Sequence, residues 1–209
     1  MTAFDLLDYR RRVAALYGDV RDGAGTREQR CRRFRAEKDR LFREHPASPI
    51  DVSRRAEFAG LAYAPYDPRW RVVARVEPGA SSGALEIDAG EDGVLSLRRV
   101  GRLGFELDGA RHRLTAFWLE GYGGGLFVPF RDRTSGRGSY GGGRYLLDTV
   151  KHADLGSEAG GLVLDFNYAY APSCAHDPRW ACPLAPPENA LDVEVHAGEL
   201  DAGAADGRG

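Results

Sequence analysis

Hydrophobic residues recur at helical spacing over the first sixty residues of the chain. Thr2 with Asp5, and Thr26 with Gln29, each match the capping box that begins a helix. Residues 1–61 are therefore predicted to be a helical segment of the same domain as the rest of the chain, with a last short helix over 54–61. The apolar stripe of the second helix consists of Phe34, Leu41 and Phe42.

From Ala62 onward the hydrophobic period changes to two, which predicts short β-strands. Asp108-Gly109 stands between two alternating runs and is a strong hairpin signal, and Pro78-Gly79 follows an earlier run. Pro129 marks an edge strand or a bulge. The predicted strands are 70–76, 83–87, 93–97, 99–107, 111–119, 126–130, 145–147, 162–166 and 192–196.

Many short strands at near-regular spacing are typical of antiparallel architectures. We therefore expect an α+β fold, in which the N-terminal helices pack on a mainly antiparallel β barrel or sandwich. Residues 62–197 form the β domain in this prediction. The polar, glycine-rich residues 198–209 are expected to be a flexible tail.

Charge and cysteine content narrow the choice of partners and compartment. The formal net charge is −2, so neither a nucleic-acid nor a membrane partner is expected. Residues 1–55 carry a net charge of +5 and residues 150–209 a net charge of −7, which suits a basic helical face packed near an acidic half or, alternatively, a basic surface for a partner. Only Lys38 and Lys151 are lysines among the 29 cationic side chains, a skew that genome composition explains.

Three cysteines without a secretory signal favour reduced thiols and a cytoplasmic location.

The glycine-rich loop, residues 130–145, concentrates four arginines and several hydroxyl groups. Glycine lets backbone N–H groups approach a ligand, and the planar guanidinium of Arg144 suits a carboxylate or a phosphate. The spacing excludes the P-loop and the dinucleotide-binding fingerprint. The alternative is a long hairpin loop in which Asp132 pairs with Arg144.

The polar segment, residues 165–189, follows a predicted strand and is rich in proline and aromatic residues. Asp165 is either a buried base or the cap of the following turn. Cys174 and Cys182 suit two buried thiols, a disulfide, a catalytic thiol, or a zinc site that includes His176. Because the zinc ligand set is incomplete, neither a metal nor a cofactor is expected.

Several motifs along the chain point to a known family. They are Ser48-Pro49-Ile50, Phe58-Ala59-Gly60-Leu61, Leu126-Phe127-Val128-Pro129-Phe130, Asp132 with Thr134-Ser135-Gly136, Tyr140-Gly141-Gly142-Gly143-Arg144-Tyr145, Asp165-Phe166-Asn167, Cys174, Cys182-Pro183 and Pro187-Glu188-Asn189. Over about residues 30–199 the chain resembles the domain-of-unknown-function 1684 family. The resemblance implies that the glycine-rich loop and the polar segment belong to one unit, but it carries no established chemistry. The chain departs from the family at His176, where an aromatic residue is expected.

These features favour a protein that acts on a small anionic molecule held between the loop and the segment, with hydrolase-like chemistry. In this hypothesis Asp165 and Tyr140 are catalytic, and Arg144 binds the anion within one hydrogen-bonded shell of Asp165 or Asn167. The other substrate-binding candidates are Asn167, Asp132, Thr134, Ser135, Glu188 and Asn189. Two alternatives stay open: a non-catalytic small-molecule binding domain, and an interaction protein that uses the basic helices.

Overall fold

The N-terminal residues form two helices that pack against each other, α1 (Ala3–Asp22) and α2 (Arg27–Glu44). Each begins with the predicted capping box, formed by Thr2 in α1 and by Thr26 in α2, which satisfies backbone N–H groups of the first turn. The buried side chains of α2 are Cys31, Phe34, Leu41 and Phe42. The structure is a computed structural model that describes residues 1–77, 83–88 and 93–201.

The helix predicted over 54–61 is instead a 3₁₀ helix at Val52–Glu57. Its start is shifted because the Asp51 carboxylate accepts a hydrogen bond from the backbone N–H of Ser53. Gly60, at φ 126°, ends any regular continuation. Within the described ranges, no helix is long and apolar enough to cross a membrane.

The rest of the chain forms one curled antiparallel sheet, a half-barrel on which the helices pack. In the described residues its eight strands are β1 (Arg71–Glu77), β2 (Ala84–Asp88), β3 (Val94–Leu107), β4 (Ala110–Leu119), β5 (Gly125–Phe130), β6 (Arg144–Asp148), β7 (Ser157–Glu158) and β8 (Gly161–Asp165). The order across the sheet is β6-β5-β4-β3-β1-β8-β7, and β2 pairs with β3. These strand pairs are antiparallel, so the predicted α+β class is confirmed.

The turn and bulge signals of the sequence match the sheet, except that two predicted strands form one. The two strands predicted over 93–107 are a single strand, β3, bent by a bulge after Arg99. Asp108-Gly109, at φ 49° and 74°, makes the predicted hairpin between β3 and β4. A register shift next to Pro129 confirms the predicted bulge in β5.

Residues 192–196 alternate between buried and exposed positions but form no strand, so that prediction is wrong. Their carbonyl groups bond to other donors: the Val195 carbonyl accepts from the Arg144 guanidinium at 3.1 Å, and the Val193 carbonyl from the backbone N–H of Arg133 at 3.0 Å. The alternation persists because Val195 packs in the core. The alternation of hydrophobic and polar residues therefore indicates an extended backbone here, and not a strand paired in a sheet.

The packed chain extends beyond residue 197, where the flexible tail was predicted to begin. Glu199 is buried, and its backbone N–H bonds to the carbonyl of Ala169 at 2.9 Å. The flexible-tail prediction is therefore wrong for residues 198–200, which the rest of the fold holds by hydrogen bonds. Residues 202–209 and the predicted turn at Pro78-Gly79 lie outside the described residues.

Candidate functional site

Arg144, the predicted anion-binding residue, is enclosed by protein groups. Its side chain is 1% exposed, and its Nη2 donates to the Asp132 carboxylate at 2.7 Å. Among the described residues its Nε, which is also buried, is left without a partner. Its other acceptors are the carbonyls of Val195, Ala197 and Glu199, at 3.1, 2.5 and 3.0 Å. The guanidinium is therefore a structural anchor with no face open to a ligand, as in the hairpin-loop alternative.

The carboxylate and hydroxyl candidates are also occupied by neighbouring protein groups. Asp132 accepts from the backbone N–H of Thr134 at 2.7 Å, and the Ser135 hydroxyl accepts from the backbone N–H of Asp132 at 3.2 Å. These bonds form a tight local turn, which is a common use of such residues. Glu188 forms an ion pair with Arg99 at 2.8 Å.

Asn167 and Asn189 are buried, and each side-chain amide bonds to both backbone groups of a residue in another segment, as a neighbouring strand would. The Asn189 side chain accepts from the backbone N–H of Thr115 at 2.8 Å and donates to the Thr115 carbonyl at 2.9 Å. Asn167 makes the same two bonds with the backbone of Asp67, at 3.0 and 2.8 Å. Asn167 also donates to the Asp165 carboxylate at 2.8 Å, so both side chains bond to protein groups rather than to a ligand.

The glycine-rich loop and the polar segment do meet, as predicted. The Tyr140 hydroxyl lies 3.6 Å from the Cys174 sulfur, and the backbone N–H of Ala185 donates to the Gly142 carbonyl at 3.2 Å. Burial raises the pKa of Tyr140 to about 12, so this phenol stays protonated at neutral pH. The contact therefore joins the two segments through a hydroxyl group and a sulfur atom.

Arg144 does not reach Asp165 or Asn167, so that prediction is wrong. In the described part of the chain no hydrogen bond joins Arg144 to either residue. Two aromatic rings separate them: the Arg144 guanidinium lies 5.2 Å from the ring centre of Phe130, which packs edge-to-face on Phe166 at 5.2 Å. The predicted site therefore divides into a closed ion pair and a separate environment around Asp165.

A cavity of about 500 Å³ lies between the helices, the sheet and the polar segment. This volume is typical of sites for small molecules. Its walls are mainly apolar and aromatic, and they come from segments that are far apart in the sequence. They include Val13, Leu16, Tyr17, Phe34, Leu41, Phe42, Phe127, Tyr145, Trp180 and Pro183.

Polar groups of the cavity gather around Tyr170. The Lys38 ammonium lies 4.6 Å from the ring centre of Tyr170 and bonds to Glu199 at 2.5 Å. The Tyr170 hydroxyl donates to Asp148 at 3.4 Å. Lys38 is 12% exposed, Glu199 is 2% exposed, and burial raises the pKa of Asp148. At this end of the cavity Lys38 therefore pairs with Glu199, and the positive charge of Lys151 acts on Asp148.

Lys38, Asp148 and Tyr170 are not among the sequence-based candidates, yet one signal in the sequence points to this place. Both lysines of the chain, Lys38 and Lys151, line the cavity, although all other cationic side chains are arginine. A compact ammonium fits against an aromatic ring and one carboxylate where a planar guanidinium needs more space. The rare residue type is therefore the informative one.

The thiols and His176 do not form a reactive or metal-binding group. Cys174 and Cys182 are free, and burial raises the pKa of the Cys182 thiol, which disfavours the thiolate that a nucleophile or a metal ligand requires. Burial also lowers the pKa of His176, whose Nε2 has no partner among the described residues. No set of three or more His, Cys, Asp or Glu side chains in those residues is placed to hold a metal ion.

Most of the motifs quoted above lie in a stretch of the chain that matches one family of sequences. A family model described as "Protein of unknown function (DUF1684)" matches residues 56–200. The chain belongs to the DUF1684 family. This confirms the resemblance seen in the motifs.

Solved structures that are similar to this DUF1684 protein include one that matches most of its length. It is the solution NMR structure of an uncharacterized protein of Haloarcula marismortui, 38% identical, with a TM-score of 0.57 over 83% of this chain and 93% of that chain. No curated protein matches the chain. The comparisons therefore give the DUF1684 protein a family and a fold, and no activity.

Proposed function

We propose that this protein binds a small, mainly apolar molecule in the cavity between its helices and its sheet. The observation that carries the proposal is the cavity itself, about 500 Å³ with apolar walls and polar groups at one end. A few placed polar groups within apolar walls are the usual composition of a small-molecule site. This is the non-catalytic binding alternative among the hypotheses raised by the sequence.

The ligand that we propose is neutral rather than anionic. The Lys38 ammonium already pairs with Glu199, and Asp148 accepts the hydroxyl of Tyr170. An anionic group at this end would meet two acidic side chains and two lysines whose charges already act on them, so it would lose its hydration in a buried site without gaining a free cation. An ammonium has three N–H donors, so Lys38 retains donors for a carbonyl or ether oxygen of the ligand.

Protonation states support binding without catalysis. The Cys182 thiol and the Tyr145 phenol, which both line the cavity, have pKa values raised by burial. Neither group is therefore ionised at neutral pH, where a nucleophile or a general base must act. Asp148 is occupied by the hydroxyl of Tyr170 and the backbone N–H of Lys151.

A cytoplasmic location forms part of the proposal. Cys31, Cys174 and Cys182 are all free thiols. Free thiols are usual in a reducing compartment, where disulfides do not persist.

A fluorescence titration with prodan, a neutral naphthalene dye with one carbonyl acceptor, tests the proposal. We expect saturable binding with blue-shifted emission. Val13→Trp on α1 fills the cavity with a larger side chain and should abolish this binding. Leu7→Trp changes an exposed residue of the same helix, outside the cavity lining, and should leave it unchanged. Equal binding by the two variants, with both folded by circular dichroism, would contradict the proposal.

A further inference from the structure

A second pocket, of about 340 Å³, lies beside Asp165 and differs in chemistry from the apolar cavity. It shares no lining residue with that cavity. Residues from both helices and from β1, β7 and β8 surround it. Four of its side chains are the arginines Arg21, Arg27, Arg30 and Arg71.

Most guanidinium donors of this arginine pocket are unused by the protein. Arg21 and Arg30 each donate one bond to a backbone carbonyl, at 2.5 and 2.8 Å. Arg71 pairs with Glu158 at 2.6 Å. Arg27 has neither a hydrogen bond nor an ion pair in the described ranges. Because each guanidinium has five N–H donors in a fork that matches oxyanions, the pocket offers several donors to one ligand.

Three acidic side chains, Asp22, Glu158 and Asp165, also line this pocket. Asp165 lies opposite Arg71 in the pairing of β1 and β8, but among the described residues its carboxylate forms no ion pair with the arginines. The carboxylate is 4% exposed, and its Oδ1 accepts both the backbone N–H and the side-chain amide of Asn167, at 3.0 and 2.8 Å. Its Oδ2 accepts no hydrogen bond from the described residues. Arg71 and Arg27 influence its charge from a distance that is too long for an ion pair. Asp165 and the arginines with unused donors therefore line the same open space.

We propose that the arginine pocket binds a phosphate group that carries a proton, either as inorganic phosphate or as a phosphate ester with a hydroxyl group. The arginines would hold the phosphate oxygens, and Oδ2 of Asp165 would accept a hydrogen bond from the P–O–H or hydroxyl group. A fully deprotonated oxyanion of the same shape, such as sulfate, has no proton to donate and would meet Asp165 as an unfavourable like charge. Asp165 is thus a selectivity residue, and the arginines supply affinity.

Titration of the full-length protein with sodium phosphate and with sodium sulfate, at equal ionic strength near neutral pH, tests this site by amide NMR shifts. We expect the backbone amide shifts around Arg27 and residues 156–158 to saturate as phosphate is added. Sulfate should bind about tenfold more weakly, because it lacks one charge-assisted hydrogen bond. Glycerol phosphate, a phosphate ester with hydroxyl groups, distinguishes the two sources: tighter binding than inorganic phosphate identifies an ester, and equal or weaker binding identifies the free ion.

Two variants give the mechanism a matched control. Arg27→Gln should weaken phosphate binding about tenfold, whereas Arg32→Gln, an exposed arginine of the same helix outside the pocket, should not. Asp165→Asn provides an amide donor, so sulfate should bind about as well as phosphate. Absent phosphate saturation, equal binding of the two anions by the wild-type protein, or equal loss in the Arg27→Gln and Arg32→Gln variants would overturn the proposal. Prodan binding should be unchanged in each variant, so either proposal can fail alone.

Discussion

The guanidinium of Arg144 joins three parts of the chain: strand β6, the turn at Asp132 and the extended segment around Val195. It does so with a planar set of donors directed at one carboxylate and several carbonyls. A lysine ammonium keeps the charge but cannot reach all these acceptors from one position. The buried carbonyls would then be left without donors, which costs more than the bonds themselves contribute.

Arg144→Lys should therefore lower the free energy of unfolding by about 2–3 kcal/mol, measured by urea unfolding. Prodan affinity should stay unchanged, because Arg144 does not line the apolar cavity. Arg133→Lys is the matched control, since Arg133 pairs with the exposed Asp192 on the surface and should lose less than about 1 kcal/mol. A loss of dye affinity without a loss of stability would show that Arg144 belongs to a ligand site.

The raised pKa of Asp165 makes the free energy of unfolding depend on pH, and the direction of that dependence can be predicted. Burial raises its pKa from 3.8 to about 6, so between these pH values the folded state binds a proton that the unfolded state releases. Stability therefore falls as pH rises through this interval, by up to about 3 kcal/mol. Asp165→Asn removes the ionisation while keeping an acceptor for Asn167.

Urea unfolding of the wild-type protein and of Asp165→Asn, in buffers free of phosphate and sulfate, checks this sign. The stability of the variant relative to the wild type should rise between about pH 4 and pH 6 and then level off. Asp192→Asn, at an exposed carboxylate, should show no such rise. Parallel pH profiles for the wild type and Asp165→Asn would contradict the raised pKa.

Among the elements, the short turn at Pro187–Asn189 makes its buried hydrogen bonds to the sheet through the side chain of Asn189. Asn189 bonds to both backbone groups of Thr115 in β4 and to the carbonyl of Pro129 in β5, at 2.8, 2.9 and 2.7 Å. Asn189→Ala should lower the free energy of unfolding by about 3 kcal/mol, because it leaves these buried groups unpaired. Glu188→Ala, in the same turn, removes only a partly exposed ion pair and should cost less than about 1 kcal/mol. Equal costs in urea unfolding would contradict the role of Asn189.

Elements whose signals are local could be predicted from the sequence. The capping boxes at Thr2 and Thr26 and the hairpin at Asp108-Gly109 depend on neighbours within a few residues, and all three are present. The strand predicted over 192–196 failed because its backbone partners include a side chain about fifty residues away, that of Arg144. Local alternation does not contain that information.

In the whole molecule, the cavity arises from segments that meet only after folding. Helix α1, helix α2, the sheet and the polar segment each contribute a wall, so no local motif predicts it. In the sequence, each of these residues alone looks like an ordinary hydrophobic core residue. The sequence did single out Asp165 as a buried carboxylate or a turn cap, and Asn167 does bond to it. The other partners assigned to that site were wrong, because Arg144 is bonded to Asp132 and Asn189 to the backbone of Thr115.

The most direct test of the cavity as a ligand site is a set of intermolecular nuclear Overhauser effects between bound prodan and methyl groups of the protein. We expect contacts from the naphthalene protons to the methyl groups of Val13, Leu16 and Leu41, which line the cavity. Contacts confined to exposed methyl groups such as those of Val94 and Val100 would place the dye on the surface and contradict the proposed function.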